Sequence, residues 1–168
     1  MANTYTLISS VTVGSGGAAT IGFTSIPSTY TDLVLKTSLR TDRALEIDAI
    51  LFTLNASTSN FTGRRLFGDG SSAASDTVTR VILIANSATS TSSTFSNNEI
   101  YIPNYAGSTN KSYSIDGVAE NNATFARADL TAGLWSDTSA ITSITLTPNV
   151  GPNFIQYSTA YLYGISNA

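Results

Sequence analysis

From one end of this 168-residue chain to the other, short runs with a period of two recur about every 10 to 15 residues, separated by turn-forming residues. Side chains on a strand alternate between its faces, so each run buries one side only, and a long succession of such runs folds as an antiparallel sandwich. Tyr5, Leu7, Ser9, Val11 and Val13 alternate, meet Gly14-Ser15-Gly16-Gly17, and resume as Ala19, Ile21 and Phe23, which reads as a hairpin. Ile26-Pro27-Ser28 interrupts the ladder because proline has no backbone donor. Leu33, Leu35 and Leu39 then open a third strand.

Ile47 to Leu54 carries apolar groups on both faces, as a covered central strand does. A helix is the rival: Asp42 would cap it, and Leu45, Ala49 and Phe52 fit helical spacing. The segment lacks a capping box and is rich in β-branched and aromatic residues, which favours the strand. Further strands are expected at Phe61 to Phe67, Val78 to Ala85, Glu99 to Ile102, Tyr113 to Glu120, Arg127 to Trp135, Ile141 to Leu146 and Ser158 to Ile165. The expected fold is all-β, an antiparallel jelly-roll-like β-sandwich, in one domain over residues 1–168. Gly68-Asp69-Gly70-Ser71-Ser72 is expected as a turn. Asn86 to Ser96, rich in Ser and Thr, is expected as a long exposed loop.

The side-chain inventory then narrows the chemistry. There is no His and no Cys. Imidazole proton shuttles, thiolate nucleophiles, serine–histidine triads and disulfides are therefore excluded, as are zinc sites built on His or Cys. Only 11% of residues are charged, whereas Ser and Thr supply 49 of the 168. An average soluble domain carries about 25% charged residues, so solubility here rests on hydroxyls and amides. The net charge of −3 comes with scattered basic residues, Arg64-Arg65 being the one pair. Nucleic-acid binding needs a basic stripe, so no nucleic-acid partner is expected. The opening Met1-Ala2-Asn3-Thr4 resembles no signal peptide and the longest apolar run, Val81 to Ala85, is too short to span a bilayer. No membrane partner is expected, and synthesis in the cytoplasm is.

Several local patterns have a simpler reading than a site. Gly14-Ser15-Gly16-Gly17 follows a strand, as a phosphate loop does, but no Gly-Lys-Ser/Thr closes it. Asp42, Glu46 and Asp48 lack the alternating ligands and central glycine of a calcium loop and read as a solvated turn. Asp69-Gly70 and Asp116-Gly117 read as turn or bulge residues. Four Asn-X-Ser/Thr sequons, at Asn55, Asn60, Asn110 and Asn122, are what so many hydroxyl residues produce by chance. Arg64 and Arg65 point to opposite faces and suit a salt bridge or an interface contact. No catalytic, cofactor or metal residues are assigned, and no enzyme activity is expected.

Aromatic residues carry the remaining signal. Tyrosine offers apolar area and a hydrogen bond, a combination that protein interfaces enrich. The candidate interface residues are Tyr5, Tyr101, Tyr105, Trp135, Tyr161 and Tyr163.

The stretch Tyr5-Thr6-Leu7-Ile8-Ser9-Ser10-Val11-Thr12-Val13-Gly14-Ser15-Gly16-Gly17, with Phe23-Thr24-Ser25-Ile26-Pro27-Ser28-Thr29-Tyr30-Thr31-Asp32-Leu33, resembles small virion proteins of tailed bacteriophages, particularly aquatic and cyanobacterial ones. So does Phe154-Ile155-Gln156-Tyr157-Ser158-Thr159-Ala160-Tyr161-Leu162-Tyr163-Gly164-Ile165. The resemblance implies a jelly-roll structural protein on the outer capsid surface or at the tail. The absence of repeats and heptads favours capsid decoration over a fibre. In that role a homotrimer would bind the major capsid protein and cement the DNA-filled head, with residues Met1 to Tyr5 and the Asn86 to Ser96 loop reaching neighbours. The alternative is a tail or baseplate receptor binder, a carbohydrate-binding module whose exposed Tyr and Trp135 stack on host-surface glycan.

Overall fold

The computed structural model describes residues 4–122 and 125–166. Twelve strands account for the regular structure there: β1 (Thr4–Thr12), β2 (Ile21–Phe23), β3 (Asp32–Leu39), β4 (Ile47–Leu54), β5 (Phe61–Gly68), β6 (Ala73–Val78), β7 (Val81–Asn86), β8 (Ser96–Pro103), β9 (Lys111–Ala119), β10 (Arg127–Trp135), β11 (Ile144–Pro148) and β12 (Thr159–Ser166). They form an eight-stranded sheet, β1-β12-β3-β8-β9-β10-β5-β6, and a four-stranded sheet, β2-β11-β4-β7. Every strand pairing is antiparallel. The result is a jelly-roll-like β-sandwich.

The core lies between the sheets and is written into the alternation. Strand β9 buries Tyr113 and Ile115 and exposes the residues between. Across the core, β4 turns Ile50, Phe52 and Leu54 inward, and β11 turns Ile144 and Leu146. These residues join Leu33, Leu35, Ile100 and Leu162 of the large sheet in one apolar cluster. Residues 47–54 are thus a strand, with one face buried and the other half-buried.

The expected hairpin after Val13 does not form. β1 pairs with β12 in the large sheet and β2 with β11 in the small one. The glycine segment does turn, with Gly17 N–H donating to Gly14 O at 3.1 Å, but it carries the chain from one sheet to the other. Gly17 sits at φ 71°, and a Cβ there would meet Phe154 O at 3.0 Å, so glycine is required twice over. The expected strand from Val78 to Ala85 is also two elements: β6 ends at Val78 and β7 begins at Val81, in different sheets.

Both sheets have free edges, and one is closed by a side chain. On β7, Ile84 N–H donates to Asn98 Oδ1 (3.1 Å) and Asn98 Nδ2 donates back to Ile84 O (2.9 Å). Asn98 reaches it from the inner face of β8 because Gly117 on β9 leaves room. A Cβ on Gly117 would lie 2.7 Å from Asn98 Oδ1. Asp116-Gly117 is therefore neither turn nor bulge but mid-strand, its glycine serving the neighbouring amide. The β1 edge carries no charge and no proline. A bulge between Leu7 and Ser9 interrupts its register, with Ile8 and Val11 packed on the core.

Candidate functional site

Four of the six expected interface residues lie on the outer face of the large sheet. Register places Leu7, Tyr163, Val34 and Tyr101 in one row across β1, β12, β3 and β8. The next row runs Ser10, Tyr161, Lys36 and Glu99. Tyr5 packs edge-on against Tyr163, with ring centroids 6.1 Å apart. Tyr5 and Leu7 are about half exposed, Tyr101 and Tyr161 rather less, and Tyr163 is partly covered. Beneath them Val34 is buried.

The polar groups of this face are fixed by neighbours on the same side of the sheet. Tyr101 donates its hydroxyl to Asp32 Oδ2 at 2.8 Å, and Asn104 N–H donates to Asp32 Oδ1 at 2.9 Å. The bond to Asp32, helped by burial, raises the Tyr101 phenol above its ordinary value. Lys36 and Glu99 pair at 2.7 Å, and this hydrogen bond raises the lysine. Both are half exposed, so the pair adds little stability, about 0–1 kcal/mol, and chiefly neutralises the patch.

Tyr105 and Trp135 do not belong to any surface. Both are buried in the core. Tyr105 donates its hydroxyl to Pro27 O, and Trp135 stacks on Phe61 with centroids 6.0 Å apart. Trp135 stands at the inward register of β10, opposite Phe61, so alternation sends its ring to the core. Arg64 faces outward from β5. Arg65 turns inward to bond Asp76 (2.5 Å) and lies 3.6 Å from Asp129.

The outer face continues over β9, β10 and β5, where Val118, Leu130 and Leu66 are exposed. The tyrosine patch alone spans four strands, or about 15 Å by 20 Å. That is about 300 Å², short of the roughly 800 Å² per partner of a stable interface, which the full eight-stranded face approaches.

A second feature lies at one end of the sandwich, where four connections meet around a cleft of about 450 Å³. The sequence did not point to it. Its frame is Phe154, fully buried and bridged to Ala18 by reciprocal backbone bonds of 2.8 and 3.0 Å. Asp42 accepts from Asn153 N (2.9 Å) and Nδ2 (3.2 Å). Arg40 donates to the carbonyls of Thr91 and Thr94 (both 2.8 Å) and Ser90 (3.0 Å). Burial lowers the Arg40 pKa from its ordinary value.

That arginine overturns the expectation for the loop at 86–96. Residues 88, 89 and 91–93 are exposed, but Asn86, Ser87, Ser90 and Ser96 are buried and the loop closes around the guanidinium. It is no free arm. Of the other segment expected to reach neighbours, Tyr5 lies on β1 and Met1 to Asn3 fall outside the described residues. The acidic trio is no solvated turn either. Asp48 is fully buried, accepting from Gly151 N (2.9 Å), Thr41 Oγ1 (3.3 Å) and Arg43 (3.4 Å). Among the described residues no group of three acidic side chains is placed to hold a metal ion.

No protein-family model matches the chain. No curated protein matches it either. Among solved structures, the galectin LEC-6 of Caenorhabditis elegans aligns over 94% of this chain and 96% of its own, at 9% identity and a TM-score of 0.34.

Proposed function

We propose that this chain is a structural protein of a phage virion that decorates the outer capsid surface, binding the major capsid protein as a homotrimer and cementing the DNA-filled head. The observation that carries the reading is the outer face of the large sheet, which gathers Tyr5, Leu7, Tyr101 and Tyr161 beside one neutralised ion pair. Amphipathic tyrosines on a rigid sheet suit protein contact, because little side-chain entropy is lost when they are covered. The sequence resemblance to phage virion proteins supplies the setting.

A patch of about 300 Å² per copy is weak alone. Three copies around a local three-fold axis bind together, the second and third contacts being intramolecular once the first is made. Binding the assembled lattice and not its parts then stabilises the lattice by mass action. The reading is non-catalytic: the chain offers no imidazole or thiol, and among the described residues the end cleft is lined by one carboxylate, Asp42, where glycoside hydrolysis by the usual route needs two.

Cryo-electron microscopy of the particle that carries this protein tests the reading. Many copies at three-fold positions of the head, with the large sheet's outer face against its neighbours, is the expected result. A few copies at the tail, or a head-bound copy with that face in solvent, overturns it.

A further inference from the structure

The end cleft is not used by the outer-face reading, and its composition specifies a ligand class. Its walls come from the β1–β2 turn, the segment after β3, the β7–β8 loop and the β11–β12 connection. Loops held on a rigid sandwich are where binding residues gather. A volume of about 450 Å³ lies within the range of small-molecule sites.

Tyr157 stands on the wall at φ 72°, a conformation that bulky residues rarely adopt, and is 67% exposed. Its backbone is locked there, with Tyr157 N–H donating to Val13 O (3.0 Å) and Ser158 N–H to Ile155 O (3.2 Å). Neither bond uses the ring, so a strained backbone holds an aromatic surface open to solvent at the cleft. Phe95 adds a half-buried second ring.

The polar side chains that line the cleft with these rings are hydroxyls, amides, one carboxylate and one guanidinium. Asn153 fixes the Asp42 carboxylate, which keeps lone pairs for a further donor. The Gln156 amide lines the same cleft. The one cation present, Arg40, is committed to loop carbonyls. With its donors spent on those carbonyls, Arg40 offers no free fork to a phosphate or carboxylate, and its charge together with that of Asp42 leaves the lining formally neutral, which suits an uncharged ligand. An uncharged ring bearing adjacent hydroxyls suits this lining: its C–H face would cover Tyr157, one hydroxyl would donate to Asp42, and another would accept from an amide.

We propose that this cleft binds a neutral saccharide of one or two sugar units. The site is separate from the outer face, so it stands or falls independently of the capsid role.

Amide-resolved NMR titration of the full chain with a panel of neutral sugars tests this: methyl glucoside, methyl galactoside, methyl mannoside, N-acetylglucosamine, lactose and cellobiose, with adenine as a non-saccharide control. The expected result is saturable shifts from at least one sugar at residues 15–17, 42 and 153–157. Asp42→Asn and Tyr157→Gly should each weaken that binding at least about tenfold, the glycine relieving the strained φ so that the fold is kept. Tyr157→Phe, which retains the ring, should bind within a few-fold of the parent. No saturable shift with any sugar overturns the proposal, as do shifts confined to the outer face, binding of adenine alone, or sugar binding undiminished in Asp42→Asn and Tyr157→Gly.

Discussion

Replacing Arg40 by lysine keeps the charge and removes the fork, and so isolates what the guanidinium does. Its nitrogens donate to Thr91 O, Thr94 O and Ser90 O at 2.8 to 3.0 Å, and to Thr94 Oγ1 at 3.2 Å. A hydrogen bond to a charged group contributes about 1.5–3 kcal/mol, so three carbonyls summed would give up to about 9 kcal/mol. That sum overshoots, because Thr91 is exposed and Thr94 half-buried, and their carbonyls regain water once released. Ser90 is buried and has no such exchange. A lysine ammonium reaches one or two of these acceptors from a single point. The expected loss is therefore about 3 kcal/mol, which for a chain of this size lowers the melting temperature by about 6–12 °C. Calorimetry reads that shift. Hydrogen exchange should show faster amides at 88–94, with β8, β9 and β10 unchanged. A melting temperature within about 3 °C of the parent, with unaltered exchange in the loop, would refute the reasoning and mean that the loop's own backbone bonds hold it.

Three other outcomes follow from the packing. Gly133→Ala puts a Cβ 2.0 Å from the Tyr113 ring, itself wedged against Phe52 and Phe61, and should cost at least about 1–3 kcal/mol in denaturant unfolding. Asn98→Ala leaves the buried Ile84 N–H and C=O on the β7 edge without partners and should cost about 2–3 kcal/mol by the same assay, with loss of exchange protection at Ile84. In alkali, burial holds the Tyr105 and Tyr113 phenols above their ordinary value of 10.0, and the bond to Asp32 does the same for Tyr101. A raised folded pKa means the native state holds these protons more tightly. Their contribution is complete below pH 10 and falls as pH rises through the folded values, so stability should drop above pH 10 while ultraviolet titration shows phenols ionising late.

How much of this was legible in the sequence depends on whether the cause is local. Strand β10 lies where Arg127 to Trp135 was read, because alternation is a property of the strand itself. The partner of β1 was not legible, since Gly14 to Gly17 turns the chain equally well within a sheet or between two. Strand β6 was missed because Ala-Ala-Ser-Asp-Thr-Val has one large apolar residue, and it is a strand through its pairing with β5. The tyrosines divide by parity. Tyr161 and Tyr163 stand two apart with Leu162 between them facing the core, a pattern readable in advance, whereas Tyr105 follows β8 in a connection where no alternation applies. Nothing in the Ser/Thr-rich loop names Arg40, some 50 residues earlier, as its anchor.

The sheet order has a consequence for how the chain reaches this structure. Eight of the eleven links between successive strands change sheet, leaving β5–β6, β8–β9 and β9–β10 as the pairs formed by neighbours in sequence. During synthesis β1 and β2 emerge early, yet their partners are β12 and β11. An uncharged strand with Tyr5 and Leu7 on one face must then wait, unpaired, while nearly the whole described chain is made. The β8-β9-β10 ribbon is the natural nucleus, and closing the large sheet is a long-range event that slows folding. Strand β12 completes it by inserting between β1 and β3, so a chain stalled before residue 159 presents two open edges to other nascent copies.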